Sequence, residues 1–455
     1  MYHLAIDLGG SSGRHILGKL ENGKVQLEEI HRFKNGVIEK NGQRCWDSAA
    51  IFEEILIGLE KCKAAGKVPD TLGIDAWGVD FMLLDKAGEP LGETVSYRDE
   101  RTKGIPEAVN RIIPAAELYA RTGTQSHDYN TMYQFLAMAK QQPQLFNQGA
   151  SFLLMPEYFA YRLSGVQRHE YTIASTTGLV SPTTNTWDLD LAKTLGLPTH
   201  IFGDIATPGT IVGDLCLRIQ ARVGFNCQVV MPCAHDTASA VVSAPLDEHS
   251  IFLSSGTWSL IGAELPAPVC TEASRLAHLT NEGGYGGTYR FLKNIMGQWL
   301  VQSIKAENKD QYSFPELALM AKEHDYFPSR IDVNDPRFMA PLSMTGAISS
   351  YCMATGQQVP KILGETMYCI YQSLADSYAK TARALEHMTG KDFSRICIIG
   401  GGSQDSYLNQ LTEKTCGKSV SAGPVEATAL GNILVQMMAT GAVQSLSQAR
   451  SLIQS

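Results

Sequence analysis

The sequence predicts a mixed α/β protein organised around a duplicated strand–turn–strand unit, and three observations carry that reading. The chain opens with a strand, a glycine-serine turn and a second strand, Ala5 to Arg14 followed by His15 to Leu20. The same design returns at Ile251 to Leu260. A third glycine feature closes the set, where strand Ile396 to Ile399 runs into Gly400-Gly401-Gly402 and a helix beginning near Asp405. Turns rich in Gly and Ser let backbone N–H groups approach anionic oxygens without side-chain obstruction. A strand, a glycine run and a helix N-terminus likewise make a surface that a flat or anionic ligand can approach. Two phosphate-binding turns facing each other would clamp a triphosphate, although a triple glycine also serves close helix-to-sheet packing.

Each element follows from local chemistry. After the first turn the chain keeps β character, and Glu21-Asn22-Gly23-Lys24 reads as a tight hairpin before Val25 to Phe33. Neither a Walker A loop nor a dinucleotide fingerprint fits, because both need their glycines to open a helix directly. A second β-turn-β unit is expected at Leu72 to Leu84, with Lys86 to Pro90 as its following turn. Helical periodicity dominates from about Ile105 to Gln141 and again at Met155 to Leu163, before a loop-rich stretch ending near Trp187. Pro- and Gly-containing segments between Leu197 and Gly213 lead to a short strand, Val229 to Met231, and then to Pro232-Cys-Ala-His-Asp-Thr-Ala-Ser-Ala240. From Glu365 to Met388 apolar residues fall on one helical face closed by Gly390. A second helix after that near Asp405 follows Gly423-Pro424-Val425-Glu426 and ends about Gly441.

At 455 residues the chain is long enough for two or three domains, and the break between halves is expected near Ala244 to Glu248. With 44% apolar and 18% charged residues it has the composition of a folded protein. The net charge of −8 disfavours a nucleic-acid partner, for which a basic face is expected. No apolar window long enough for a membrane span appears, and Asp7 stands where a signal peptide needs an apolar core, so the expected location is cytoplasmic. Ten scattered cysteines without any Cys-x-x-Cys or Cys/His cluster point to reduced, structural thiols.

With these segments in place, the chain resembles the FGGY family of carbohydrate kinases over essentially its whole length. The residues that carry the likeness are Asp7 to Arg14, Gly73 to Phe81, His235 to Ala240, Leu253 to Leu260, Lys293 to Gly297 and Gly423 to Ala427. The resemblance implies two ribonuclease-H-like domains of the actin-like ATPase type flanking a deep catalytic cleft, drawn at 1–245 and 246–455. It also implies ATP and Mg²⁺ as cofactors and a small ketose as the partner, with neither nucleic acid nor membrane involved. Many members of the family place Gly-Gly where this chain has Ala234-His235, which favours the deoxy-ketose branch. Relatives often carry Asn at the position of Asp405.

Phosphoryl transfer to a sugar hydroxyl needs a positioned acceptor, a neutralised triphosphate and a base. Asp236, following an apolar strand and flanked by small residues, is the expected base; it could also act as the N-cap of its helix. By resemblance, Gly78, His235, Asp236, Thr237 and Asn294 contact the sugar. Gly10, Ser11, Ser12, Gly13, Arg14 and Thr257 are assigned to the phosphates, and Gln302, Gly400, Gly401 and Gly402 to the nucleoside. Asp7 is the candidate Mg²⁺ residue, held through water. Arg14 could equally be a salt-bridge partner, and Trp77 with Phe81 could form an apolar wall or belong to the core. The resulting expectation is an ATP-dependent ketose kinase whose two turns close on one nucleotide. An actin-like ATPase would share the clamp but hydrolyse ATP without sugar, and a catalytically silent sugar sensor would lack a functional base.

Overall fold

Asn22 and Gly23 adopt φ of 53° and 75°, the pair of left-handed residues that a type I′ hairpin requires. They fold strand Ser12–Glu21 back onto Lys24–Lys34, with Glu21 opposite Lys24, Ser12 opposite Lys34 and one register shift between His15 and Ile16. The computed structural model describes residues 1–453, which divide into two compact units. This hairpin forms one edge of a six-stranded sheet in the first.

Across that sheet the strands run Ile211–Asp214, Gln228–Val230, Thr71–Ala76, His3–Leu8, Ser12–Glu21 and Lys24–Lys34. His3–Leu8 and Gln228–Val230 both lie parallel to Thr71–Ala76, and the remaining pairs are antiparallel. The two central strands are buried along their whole length, as parallel strands covered on both faces must be. Their side chains alternate between two cores. Leu4, Ile6, Leu8, Leu72 and Ile74 pack with Ile51, Phe52, Ile55 and Leu59 of helix Ser48–Ala64 and with Phe159 of helix Met155–Ser164. On the other face Ala5, Ile16, Cys233 and Ala238 pack with Leu430, Ile433, Leu434 and Met437 of helix Ala427–Ala439.

That last helix makes the first unit discontinuous. It comprises Met1–Ser243, Leu265–Arg290 and 428–453, while the second comprises Ala244–Glu264 and Phe291–Ala427. The compact units therefore differ from the halves 1–245 and 246–455, because the apolar face of the C-terminal helix completes a core begun more than 400 residues earlier.

The structure gives finer detail to two segments. The helical stretch from Ile105 to Gln141 is three helices, Ile105–Asn110, Ala115–Thr122 and Thr131–Gln141. Pro114 stands at the second start and Gly123, at φ 64°, ends that helix. The segment from Leu72 to Leu84 is not a hairpin: Thr71–Ala76 stays in the main sheet, whereas Phe81–Leu84 pairs with Ser151–Leu154 and Pro90–Leu91. Val79 sits between them at φ 68°, a strained conformation for a β-branched residue. It is held by its N–H donating to Thr176 Oγ1 at 3.2 Å and its carbonyl accepting from Thr131 Oγ1 at 2.6 Å.

The second unit repeats the plan of the first. Its strands run Tyr289–Met296, Trp258–Leu265, Ser250–Ser255, Arg395–Ile399 and Ser419–Ala422. Ser250–Ser255 is antiparallel to its hairpin partner Trp258–Leu265 and parallel to Arg395–Ile399, the relation that His3–Leu8 has to its own neighbours. The long helix Leu363–Thr389 ends at Gly390, φ 65°, whose N–H donates to the Glu386 carbonyl, as the amphipathic pattern predicts.

Candidate active site

In the first unit the parallel strands deliver acidic residues to one place. Asp7 and Asp75 are register partners near the C-terminal ends of adjacent strands, where α/β sheets bind ligands. Ala76 bridges to His235, with the Ala76 N–H donating to the Ala234 carbonyl at 2.9 Å. Asp7 is ion-paired with Arg14, its antiparallel partner, so the structure places Arg14 against this carboxylate. Asp75 is fully buried; its Oδ2 accepts from Asn432 Nδ2 at 2.5 Å and its Oδ1 has no hydrogen-bond partner among the described residues. Burial, and then the neighbouring charge of Asp7, pushes the Asp75 carboxyl well above the ordinary carboxylate range.

Asp236 begins helix Asp236–Val242. Its side chain retains 32% exposure, yet protein surrounds it on most sides, and that burial raises its carboxyl; His235 opposes the rise and Asp7 adds to it. Oδ1 accepts from the Thr237 N–H at 2.5 Å and Thr237 Oγ1 at 3.1 Å, so the expected capping contact is limited to the next residue. His235 Nε2 lies 3.5 Å from the same Oδ1. The loop bearing both is fixed from behind, where the Ala234 N–H donates to Glu170 Oε2 at 3.0 Å and the His235 N–H to Thr172 Oγ1 at 3.2 Å. Burial drives the Glu170 carboxyl up to about 7, against the pull of its hydrogen bonds.

Around these groups, Gly78 packs so closely on Thr176 that a Cβ would lie 3.0 Å from Oγ1. Trp77 stacks on Trp46 with centroids 4.2 Å apart, and Tyr97 packs on Trp46 and Tyr129. Both indole N–H groups donate to Asp80 Oδ2, at 2.6 Å from Trp46 and 3.0 Å from Trp77. The aromatic wall is thus Trp46, Trp77 and Tyr97. Phe81 belongs elsewhere, in a core with Phe135 and Phe152. Gly10 lies under Arg98, whose Nη2 would be 2.9 Å from a Cβ there. The turn from Gly9 is closed by the Gly9 N–H donating to the Ser12 carbonyl and by Asn35, which bonds both Ser11 and Gly9. Ser12 and Gly13 open the following strand, where a Gly13 Cβ would fall 2.1 Å from the Phe33 ring.

The second unit contains a cavity of about 640 Å³, the size of a nucleoside site. Gly256, Gln302, Gly401, Gly402 and Asp405 line it together with Gln298, Phe314 and Tyr407. Thr257 Oγ1 donates to Gln302 Oε1 at 3.4 Å. Gly400, at φ 83°, starts the glycine run, and a Cβ on Gly402 would fall 2.0 Å from Ser255 Oγ. The hairpin turn and the glycine run therefore touch. Asp405 caps helix Ser406–Cys416 through the Leu408 N–H at 3.0 Å and accepts from Tyr371 Oη at 2.6 Å. Asn294 is half-buried on strand Tyr289–Met296 of this unit, whereas Gly78, His235, Asp236 and Thr237 are in the first. Asp75 falls within the Gly73–Phe81 segment but received no role from the sequence, and Glu282, Arg290, Tyr97 and Arg98, which also lie at this candidate site, were in no motif.

A duplicated sheet of this topology, a carboxylate at the end of the central strands and a glycine-lined cavity fit the actin-like ATPase type of fold, which sugar kinases share. The N-terminal domain of the FGGY family of carbohydrate kinases matches residues 2–243 and the C-terminal domain residues 251–440; the chain belongs to this family. Among curated proteins it is 47% identical to a rhamnulokinase of Halalkalibacterium halodurans, with 99% of this chain and 96% of that protein covered. It is 39% identical to a rhamnulokinase of Bacillus subtilis, covering 100% and 93%. Solved structures share the fold at low identity. A gluconate kinase of Lactobacillus acidophilus superposes with TM-score 0.83 at 16% identity, over 99% of this chain and 92% of that one. A glycerol kinase of Plasmodium falciparum with ADP gives 0.80 at 15%, over 100% and 92%.

Proposed function

We propose that this protein transfers the γ-phosphoryl group of ATP to the primary hydroxyl of L-rhamnulose, giving L-rhamnulose 1-phosphate in the cytoplasmic breakdown of L-rhamnose. The observation that carries the reading is Asp236, a carboxylate raised by burial yet still water-accessible, standing beside His235 in a chain akin to rhamnulokinases over its full length.

The chemistry follows from these groups. Asp236 accepts the proton of the C1 hydroxyl as its oxygen bonds to the γ-phosphorus. The bond from that phosphorus to the β–γ bridging oxygen breaks, and ADP leaves. His235, Thr237, the Gly78 backbone and Asn294 orient the ketose hydroxyls, and the aromatic wall faces its methyl group. Gly10 to Arg14 and Thr257 hold the phosphates; Gln302 and Gly400 to Gly402 hold the nucleoside. Among the described residues no three His, Cys, Asp or Glu side chains form a direct metal cage. Asp7 and the unpartnered Oδ1 of Asp75 offer the oxygen chemistry that suits Mg²⁺ held through retained waters. Mg²⁺ bound with the nucleotide supplies charge neutralisation on the triphosphate.

The test is a coupled ADP-release assay against a panel of ketoses and polyols. L-Rhamnulose should give the highest kcat/KM. L-Fuculose as the best substrate would overturn the stereochemical assignment, and glycerol or xylulose as the best would overturn the branch. ATP hydrolysis that ignores every sugar would favour an actin-like ATPase.

A further inference from the structure

His235 is gripped from the side away from Asp236. Its Nδ1 lies 2.9 Å from Arg290 Nη2, in hydrogen-bond geometry, and 3.3 Å from Glu282 Oε2. Arg290 Nη2 and Glu282 Oε2 are themselves 2.9 Å apart. The Arg290 side chain is completely buried, and its Nε donates to the Gly283 carbonyl at 2.8 Å, which fixes the guanidinium to the strand that carries Glu282.

A guanidinium has donors only and stays protonated. An imidazole nitrogen that meets it must therefore accept, so Nδ1 carries no proton. In a neutral ring the proton then resides on Nε2, the nitrogen that faces Asp236. Glu282 alone would select the opposite tautomer, because a carboxylate only accepts. Glu282 instead supplies the counter-charge that an unpaired buried arginine would lack. Both residues lie far from His235 in sequence.

We propose that Arg290, balanced by Glu282, is a positioning residue that holds His235 as the neutral Nε2–H tautomer. The ring then presents an N–H donor to Asp236 and to the sugar hydroxyl beside it. It also has no free lone pair, so proton acceptance falls to Asp236 alone. The inference rests on reading this site as the sugar kinase centre.

The tautomer is measured directly by long-range ¹H–¹⁵N correlation on the full-length protein labelled at histidine, at neutral pH without sugar, with His235→Gln used only for assignment. The wild-type spectrum should show His235 protonated at Nε2 alone. Arg290→Met, which removes every donor at this position, should convert it to the Nδ1–H form facing Glu282 and lower kcat about 10–100-fold, the scale seen when a residue that orients a functional histidine is lost, with KM for ATP unchanged. Arg290→Lys keeps a donor and should keep the Nε2–H form. A wild-type signal from the Nδ1–H tautomer or from imidazolium overturns the proposal, even where the variants do not fold. So does an Nε2–H signal that survives in folded Arg290→Met. Because the spectrum needs no substrate, its outcome is independent of which sugar wins the panel.

Discussion

Asp236 meets two requirements of the role proposed for it, since a general base must be basic enough to take a proton and open enough to meet its substrate. Burial raises its carboxyl, and its residual exposure leaves an approach. Asp236→Asn keeps the shape and removes the acceptor, so kcat should fall by about 100-fold or more, with KM for ATP little changed in the same coupled assay. The raised carboxyl also fixes the sign of a pH effect. Only the ionised form accepts a proton, so kcat/KM should fall as pH drops through the Asp236 pKa. That acid limb should have its midpoint above the value for a free aspartate. A midpoint at or below that value would place the limb on another group. At this scale the candidate residues His235-Asp236-Thr237 and Gly78 could be proposed from the sequence, because they sit within short motifs whose chemistry is local. Arg290 and Glu282 were not legible. Their role arises from a fold that brings residues some 50 positions away against His235, and no spacing rule encodes that.

At the scale of elements, helix Asp236–Val242 is positioned by a glycine rather than by its own sequence. A Cβ on Gly431 would fall 1.7 Å from the Ser239 carbonyl oxygen, and backbone cannot yield as a side chain can. The two helices approach as closely as they do because Gly431 has no Cβ. Gly431→Ala should therefore push the Asp236 helix off its seat, at a cost of about 3 kcal/mol, the upper end for overpacking, read as a lowered urea midpoint. Because Asp236 rides on that helix, kcat should fall alongside stability. A variant with wild-type stability and turnover would show that the contact relaxes freely. The hairpin at Asn22-Gly23 and the Gly390 helix end were legible for the opposite reason, since each is decided by one residue's φ preference. In Leu72 to Leu84 the two strands were legible but their separation into different sheets was not: the buried Asp80, bound to Trp46, Trp77, Gln134 and the Tyr97 N–H, holds the chain between them, next to Val79.

For the molecule as a whole, the duplicated strand–turn–strand design was legible because each copy is a contiguous motif, while the core that helix Ala427–Ala439 would cover was not. Helix Ala427–Ala439 follows the second unit's last strand directly, and its amphipathic face records only that it covers some core. Its apolar residues pack with Ala5, Ile16, Cys233 and Ala238. On its polar side Asn432 donates to Asp75 and Gln436 to the Leu4 carbonyl, so its attachment is polar as well as apolar. Leu434, fully buried in that core, offers a test. Leu434→Ala should cost about 2–5 kcal/mol, the range for deleting a buried leucine side chain. The loss should be local in a telling way. Native-state hydrogen exchange should accelerate in His3–Leu8, Ser12–Glu21 and Thr71–Ala76, near the other end of the sequence. Arg395–Ile399, much closer along the chain, should keep its wild-type protection. The reverse pattern would assign the helix to the second unit and remove the C-terminal segment from the support of the Asp7 and Asp75 carboxylates.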